Sequence, residues 1–316
     1  MTAMAVAARV GPKDFFTPQE WEPISARSSW KGLALVAHCW VVILAAGAVA
    51  VVWPVTIPLA IVIIGARQLG LAILMHDAAH GALHPDRAVN DWVGEWLCSG
   101  GLARYRAYHL QHHKFAQQSE DPDLGLSAPF PITRASLRRK ILRDLTGQTW
   151  FKQRFGLLAQ RLSERKAGEG VLPILAAEIH RQRRWLIGNA IGAVAVTGIA
   201  VAWRGAWWAW PVLWMAPRAT WFQLVTRFRN IAEHALVAKD EPDPLRHART
   251  THANFLERAL IAPYFVNYHC EHHMFMHVPC WRLPRLRRML TLQGVTERME
   301  GARGYVSVLA AASAGA

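Results

Sequence analysis

Between Gly32 and Ala66 the chain carries no Asp, Glu, Lys or Arg, and between Trp185 and Thr226 only Arg204 and Arg218 interrupt a second uncharged stretch. Cysteine is scarce. Cys39, Cys98, Cys270 and Cys280 form no Cys-x-x-Cys pair and no disulfide-like spacing, which excludes a disulfide framework and points to reduced thiols. A Gly-rich dinucleotide fingerprint at a strand–helix junction, a haem-attaching Cys-x-x-Cys-His and a ferredoxin-type cysteine cluster are all missing, so a redox chemistry here would draw electrons from outside. Asp14, Glu20 and Glu22 precede the first apolar run, which is not the pattern of a cleavable signal peptide. There is no solenoid-like repeat.

What remains is polarised. The 316 residues are 52% hydrophobic with 15 Trp and a net charge of +14, and a mean hydropathy of only +0.10 hides that the charge lies outside the two uncharged stretches. Each stretch exceeds the ~20 residues of one membrane crossing. Pro54 and Pro58 divide the first into helices over about Leu33–Val52 and Ile57 to beyond Met75. Arg204-Gly205 divides the second into about Trp185–Trp203 and Ala206 to beyond Phe228, the last kinked at Pro211 and Pro217. Trp30 and Trp53 bracket the first span, and Trp185 and Trp203 the third, as interfacial aromatics do. The expected fold class is all-α: a single integral membrane domain of four transmembrane helices in two hairpins (about 32–84 and 185–228), with helical water-facing segments (85–184 and 229–316) forming a cap. Only Arg67, Arg204 and Arg218 of the 36 Lys and Arg fall outside the N-terminal segment, 85–184 and the segment after Thr226, so the positive-inside tendency places both termini and the cap in the cytosol. A soluble protein with two buried helical hairpins is the competing arrangement. Membrane sidedness accounts for the basic excess, and nucleic-acid binding is not needed to explain it.

The histidines gather where the spans meet the cap. His76 and His80 end the second span and are four apart, one face of a continued helix. Asn230 and His234 end the fourth span with the same spacing. His109, His112 and His113 have i, i+3, i+4 spacing, and His269, His272 and His273 in the stretch NYHCEHHMFMH repeat it. Such a run is a tag, a solvated patch or a metal site; a tag would be a homopolymer at a terminus. Nine imidazoles are too many for one ion and suit two ions with four or five nitrogens each, of iron, copper, nickel or zinc rather than magnesium or calcium. Asp77, Glu233 and Glu271 stand beside candidate ligands and could orient imidazoles; for Glu271 a solvated carboxylate is the alternative. Cys270 reads as a bystander.

At these residues the sequence resembles the membrane fatty acid desaturase superfamily. The boxes are His76-Asp77-Ala78-Ala79-His80, His109-Leu110-Gln111-His112-His113 and His269-Cys270-Glu271-His272-His273, with Glu120-Asp121-Pro122-Asp123 and Val278-Pro279 also family-like. The resemblance spans roughly Met75 to Pro284. It implies a cytosolic di-iron site above a four-helix membrane bundle, with all nine histidines as the catalytic ligands. His234 matches a further ligand of the family, and Asn230 matches a nearby cofactor-binding Asn that holds a metal-bound water. It also implies dioxygen as co-substrate, hydrogen abstraction from an unactivated methylene, an acyl-lipid or acyl-thioester substrate in membrane lipid, and a ferredoxin or b-type cytochrome as electron donor. Arg138, Arg139, Lys140, Arg181, Arg183 and Arg184 could attract an acidic carrier, although setting topology and touching anionic headgroups explains them more simply. Within the superfamily, desaturation competes with hydroxylation or ketolation of a lipid or carotenoid, to which Trp281-Arg282-Leu283-Pro284 points, and with action on smaller unsaturated amino-acid precursors. A metal transporter is the alternative of another class, but transporters place their ligands near the bilayer midplane.

Overall fold

The computed structural model describes residues 8–98, 101–127, 129–165 and 170–315, and these are mostly helical. The first hairpin forms as the prolines dictate. Helix α1 spans Lys31–Val52, a 3-10 turn follows at Pro54–Thr56, and α2 runs Ile57–Ala79 with Pro58 in its first turn. On α1 only the stripe Gly32, Val36, Cys39, Ile43, Gly47 and Ala50 is buried, while Val41 and Val49 face outward. α2 is the central post: 61% of its most apolar window is buried against 28% for α1. Gly65 makes its fourth-segment crossing possible, because a Cβ there would stand 2.8 Å from Cβ of Trp221. The helix stops at Gly81, whose φ of 68° is open to glycine at little cost.

Two further helices lean on α2, α3 (Arg87–Trp96) and α4 (Leu102–Lys114). They are followed by α5 (Arg134–Leu145) and α6 (Gln148–Ser163). The second hairpin departs from the sequence expectation. Its first limb, α7, begins at Val171 rather than near Trp185 and continues through a π-wound turn at Val194–Gly198 to Arg204. Arg181, Arg183 and Arg184 lie on this helix, so their charge marks an amphipathic helix rather than a loop. Trp185 is half-buried under the Arg154 guanidinium, 4.0 Å from the ring centre.

The second limb is not one continuous helix. Pro211 lies in a π-wound turn, Trp210–Met215, Pro217 in the short helix Ala216–Ala219, and Thr220 (φ −116°, ψ −87°) breaks the chain before α8, Trp221–His234. Among the described residues three helical segments are long and apolar enough to cross a membrane: Lys31–Val52, Pro54–Ala79 and Val171–Arg204. Their flanks carry exposed Trp30, Trp53, Trp203 and Trp207, the composition of a membrane interface.

The cap is helical apart from one feature that an all-α reading omits. Strands β1 (Arg249–His252) and β2 (Glu300–Arg303) pair in parallel, Arg249 opposite Glu300. β1 lies against the third histidine box, α9 (His269–Met274), which is followed by α10 (Leu283–Leu292). Of the two intramembrane arginines, Arg67 hydrogen-bonds the Ala259 carbonyl and lies over the Tyr264 ring, which gives its charge an inter-segment partner. Arg218 lies over Phe222.

Candidate metal centre

All nine histidines singled out by spacing converge, and they divide into two groups. His76, His80, His109, His113 and His272 place one ring nitrogen each within 4.8 Å of the others, and His112, His234, His269 and His273 do the same. Each His-x-x-His-His box therefore serves both groups. The i, i+4 pairs stay together, His109 with His113 in one group and His269 with His273 in the other, while the i+3 members His112 and His272 cross over. A helical turn of 100° per residue sets i+4 about 40° to one side of i and i+3 about 60° to the other, so a box lying between two centres is split this way. The rings of His113 and His273, one from each group, stack at 4.3 Å.

The contacts between these nitrogens do not work as hydrogen bonds. His113 Nε2 lies 3.0 Å from both His109 Nε2 and His272 Nε2. In the second group Nε2 atoms form a chain, His112 to His273 at 3.3 Å, His273 to His269 at 3.2 Å and His269 to His234 at 2.9 Å. An imidazole nitrogen has one in-plane orbital, holding either a proton or a lone pair. It cannot serve two such neighbours at once. As lone pairs aimed at a common point the distances make sense: a metal–imidazole bond of about 2.0–2.1 Å separates nitrogens at right angles by about 3.0 Å. In the first group His76 and His80 each have both ring nitrogens buried without a hydrogen-bond partner among the described residues, a cost of about 1–3 kcal/mol per orphaned atom that a bound cation would offset at the ligating one. The donor set fits one metal ion in each group.

Burial keeps these imidazoles neutral and hence able to ligate. It pushes His80 down to about 3, helped by His277 and Arg106, and holds His109, His113, His234, His269, His272 and His273 well below the ordinary histidine value, each further lowered by its neighbours. His112 is the exception. Burial opposes its charge, but the Asp121 hydrogen bond and the charges of Asp121, Asp123 and Glu233 outweigh it and raise the value. For the lowered set the unfolded chain binds more protons below a pH of about 6.5. Their contribution to stability is therefore lost as pH falls from there towards about 3; among the histidines His112 alone works in the opposite sense, and the raised carboxyl of Glu233 offsets part of the loss. The midpoint of thermal unfolding of the metal-stripped protein in detergent should fall between pH 7 and pH 5, and a constant or rising midpoint would contradict this account.

The supporting carboxylates differ from those the sequence suggests. Asp121 accepts the Nδ1 proton of His112 at 2.8 Å and so turns Nε2 towards the second group. No helical spacing marks it, since it reaches back nine residues through a loop; only the family likeness of Glu120-Asp121-Pro122-Asp123 points to it. Asp77 orients no imidazole: its Oδ1 is 3.6 Å from His76 Nδ1, and its Oδ2 accepts the Cys280 backbone N–H at 2.9 Å, tying the first box to the segment after the third. Glu233 faces the inner nitrogen of His269 at 3.6 Å rather than its outer one, with Arg229 Nε at 3.2 Å on the other side. Burial lifts its carboxyl to about 7 against the pull of Arg229 and His112. Glu271 is neither solvated nor in contact with an imidazole; it is fully buried between Arg287 and Thr250. Cys270 donates to the Leu245 carbonyl and stays outside both groups. Asn230 borders a cavity of about 30 Å³ against the second group, together with Tyr105, whose ring stacks on His109 at 5.2 Å. His277 is also outside, its Nδ1 3.0 Å from the His80 carbonyl.

The family model described as fatty acid desaturase matches residues 51–296, a stretch that holds both imidazole groups. The chain belongs to the fatty acid desaturase family. Within it, this desaturase-family chain is 27% identical to a dihydrorhizobitoxine desaturase of Bradyrhizobium elkanii over 73% of its own length and 67% of the relative's. It is 29% identical to a beta-carotene ketolase of Paracoccus sp. (strain PC1) over 70% and 75% of the two chains, and 28% identical to a second Paracoccus ketolase (strain N81106 / MBIC 01143) over 70% and 74%. It is thus an oxidoreductase-family protein with two histidine clusters able to hold metal and apolar helices suited to a membrane.

Proposed function

We propose that this protein is a membrane-bound di-iron oxidase that desaturates an acyl chain. The observation that carries the reading is the division of nine buried imidazoles into adjacent groups of five and four. Iron held there supplies the activation of dioxygen and the removal of hydrogen from an unactivated methylene, with electrons from a separate ferredoxin or b-type cytochrome. The chain's own residues do the rest. His76, His80, His109, His113 and His272 hold one ion, and His112, His234, His269 and His273 the other. Asp121 keeps the Nδ1 proton on His112. Asn230 offers an amide to the small cavity beside the second group. Burial of the ring nitrogens excludes bulk water, and the packed walls fix which methylene comes near. The catalytic face and both termini are cytosolic, and the substrate is an acyl-lipid or acyl-thioester.

Hydroxylation or ketolation is the second reading. The two Paracoccus ketolases and the Trp281-Arg282-Leu283-Pro284 sequence favour it, since a carotene ring can be oxidised by the same chemistry. Mass spectrometry of the product decides. Loss of about two mass units from an acyl chain is the expected result, because two hydrogens leave and nothing is added; a gain of oxygen would replace desaturation by the second reading.

A further inference from the structure

A second, larger space adjoins the metal centre and is not explained by it. A cleft of about 720 Å³ shares two wall residues, Tyr105 and Arg229, with the small cavity beside the imidazoles. One end is apolar, built from Leu69, Ala72 and Met75 of α2 with Phe222 of α8, and Met75 is the residue next to His76. Among the described residues the remainder is lined by seven arginines and no carboxylate. Several of these arginines have acid partners outside the cleft: Arg181 pairs with Glu178, Arg184 lies 3.8 Å from Glu95 and Arg229 lies 3.2 Å from Glu233. Arg104, Arg154 and Arg183 have no carboxylate within ion-pair distance among the described residues.

Arg154 is the informative one. It is half-buried, its guanidinium lies on the Trp185 ring at 4.0 Å, and its Nε has no hydrogen-bond partner among the described residues. Burial, with the charges of Arg104 and Arg181, pushes it down to about 10, the direction expected of a cation held without an anion. A planar guanidinium fixed against an indole presents its remaining N–H groups as a fork for a carboxylate or phosphate. Positive-inside charges that only set topology would face open water or lipid; these converge on a cleft whose other end abuts the first histidine box.

We propose that this cleft is the head-group site for an anionic amphiphile, whose carboxylate or phosphate oxygens are held by Arg154 and Arg104 while its apolar portion points past Met75 and Tyr105 towards the imidazoles. The assignment rests on the oxidase reading for its orientation, because it is the reacting carbons that must approach the metals. It names the substrate class as an oxyanion-headed chain and sets a neutral polyene aside.

Binding, read apart from turnover, tests it. The full-length protein, both metal-loaded and metal-stripped, is placed in phosphatidylcholine nanodiscs and titrated with 11-dansylamino-undecanoate and, separately, with its methyl ester. The acid should bind more tightly than the ester by about tenfold or more, the worth of one charge-assisted hydrogen-bonded pair. Arg154→Gln should remove that preference, Arg154→Lys should keep part of it, and the exposed Arg104→Gln, which disturbs no packing, should reduce it by at least about threefold. Replacing part of the lipid with phosphatidylglycerol identifies the source of the oxyanion. Competition with the acid assigns the site to a lipid headgroup, and no competition assigns it to a soluble acid; both keep the site. Equal binding of acid and ester, or unchanged acid binding in both the Arg154→Gln and Arg104→Gln proteins, overturns it. Because the titration needs no metal, a protein that binds the acid but neither holds two irons nor turns over would count against the oxidase reading instead.

Discussion

Replacing His272 with Ala should lower the metal content of the iron-loaded protein from about two ions per chain to about one, and turnover by more than the ten- to hundredfold that losing an outer partner of a ligand costs. His272 is the crossing member of the third box. It joins His76, His80, His109 and His113, although its sequence neighbour His273 belongs to the other group. The loss should therefore fall on the five-histidine centre alone. His269→Ala should empty the four-histidine centre instead, and the two variants should give distinguishable residual iron spectra. The imidazole of His272 is buried among the rings of its own group and its Nε2 lies against His113 Nε2, so alanine removes the ligating nitrogen and leaves the helices that carry the other imidazoles in place. Helical circular dichroism should stay unchanged. His84→Ala, a histidine outside both groups, should retain two metals and rules out adventitious binding. Two metals retained with full turnover in His272→Ala would remove that residue from the ligand set, and loss of both metals would mean that the two centres are not independent.

How the boxes divide was not legible in the sequence, although their members were. Spacing puts His109, His112 and His113 on one helical face, and the same for His269, His272 and His273, but a face wide enough to hold three imidazoles is wide enough to meet two ions. Which side each residue serves depends on where α2 and α8 stand, and that is tertiary information. The first hairpin was legible almost to the residue because its ends are made by Pro54, Pro58 and an uncharged run, all local signals. Arg181, Arg183 and Arg184 look like the end of a water-facing segment and push the expected start of α7 to Trp185, whereas the helix holds them on an amphipathic turn with Glu178 as a partner. The fourth span looks like one kinked helix in the sequence because proline marks a break without saying how the chain resumes; here it resumes as a π-wound turn and a sharp bend at Thr220. β1 and β2 are four residues each, too short to carry an alternation. Asp121 and the Arg154–Trp185 stack join residues whose relation is set by loops and by packing between helices, and no periodicity reports on either.

Glu271→Ala should destabilise the protein by about 3–5 kcal/mol, the cost of removing one partner from a buried ion pair and stranding the other charge. Glu271 sits inside the third box between His269 and His272, where sequence alone suggests a carboxylate that steers an imidazole. Its oxygens go elsewhere. One accepts Arg287 Nη1 at 2.9 Å from α10, the other accepts the Thr250 hydroxyl from β1, and the residue is fully buried. It is a clamp that holds α9 between a helix and a strand, so that the backbone presenting His269, His272 and His273 cannot rock. The two roles predict different outcomes. A steering carboxylate, once replaced, should cost metal affinity at every temperature with little change in unfolding. A clamp should leave two metals bound in the cold and lower the unfolding midpoint, with metal lost only as α9 comes free. Glu271→Gln should fall between wild type and alanine, since the amide keeps one acceptor but turns a donor towards a neighbour that also donates. The double variant Glu271→Met with Arg287→Met should recover most of the lost stability, because apolar groups of similar volume leave no buried charge behind. Metal loss in the cold from Glu271→Gln, without a shift of the midpoint, would return Glu271 to the role of orienting an imidazole.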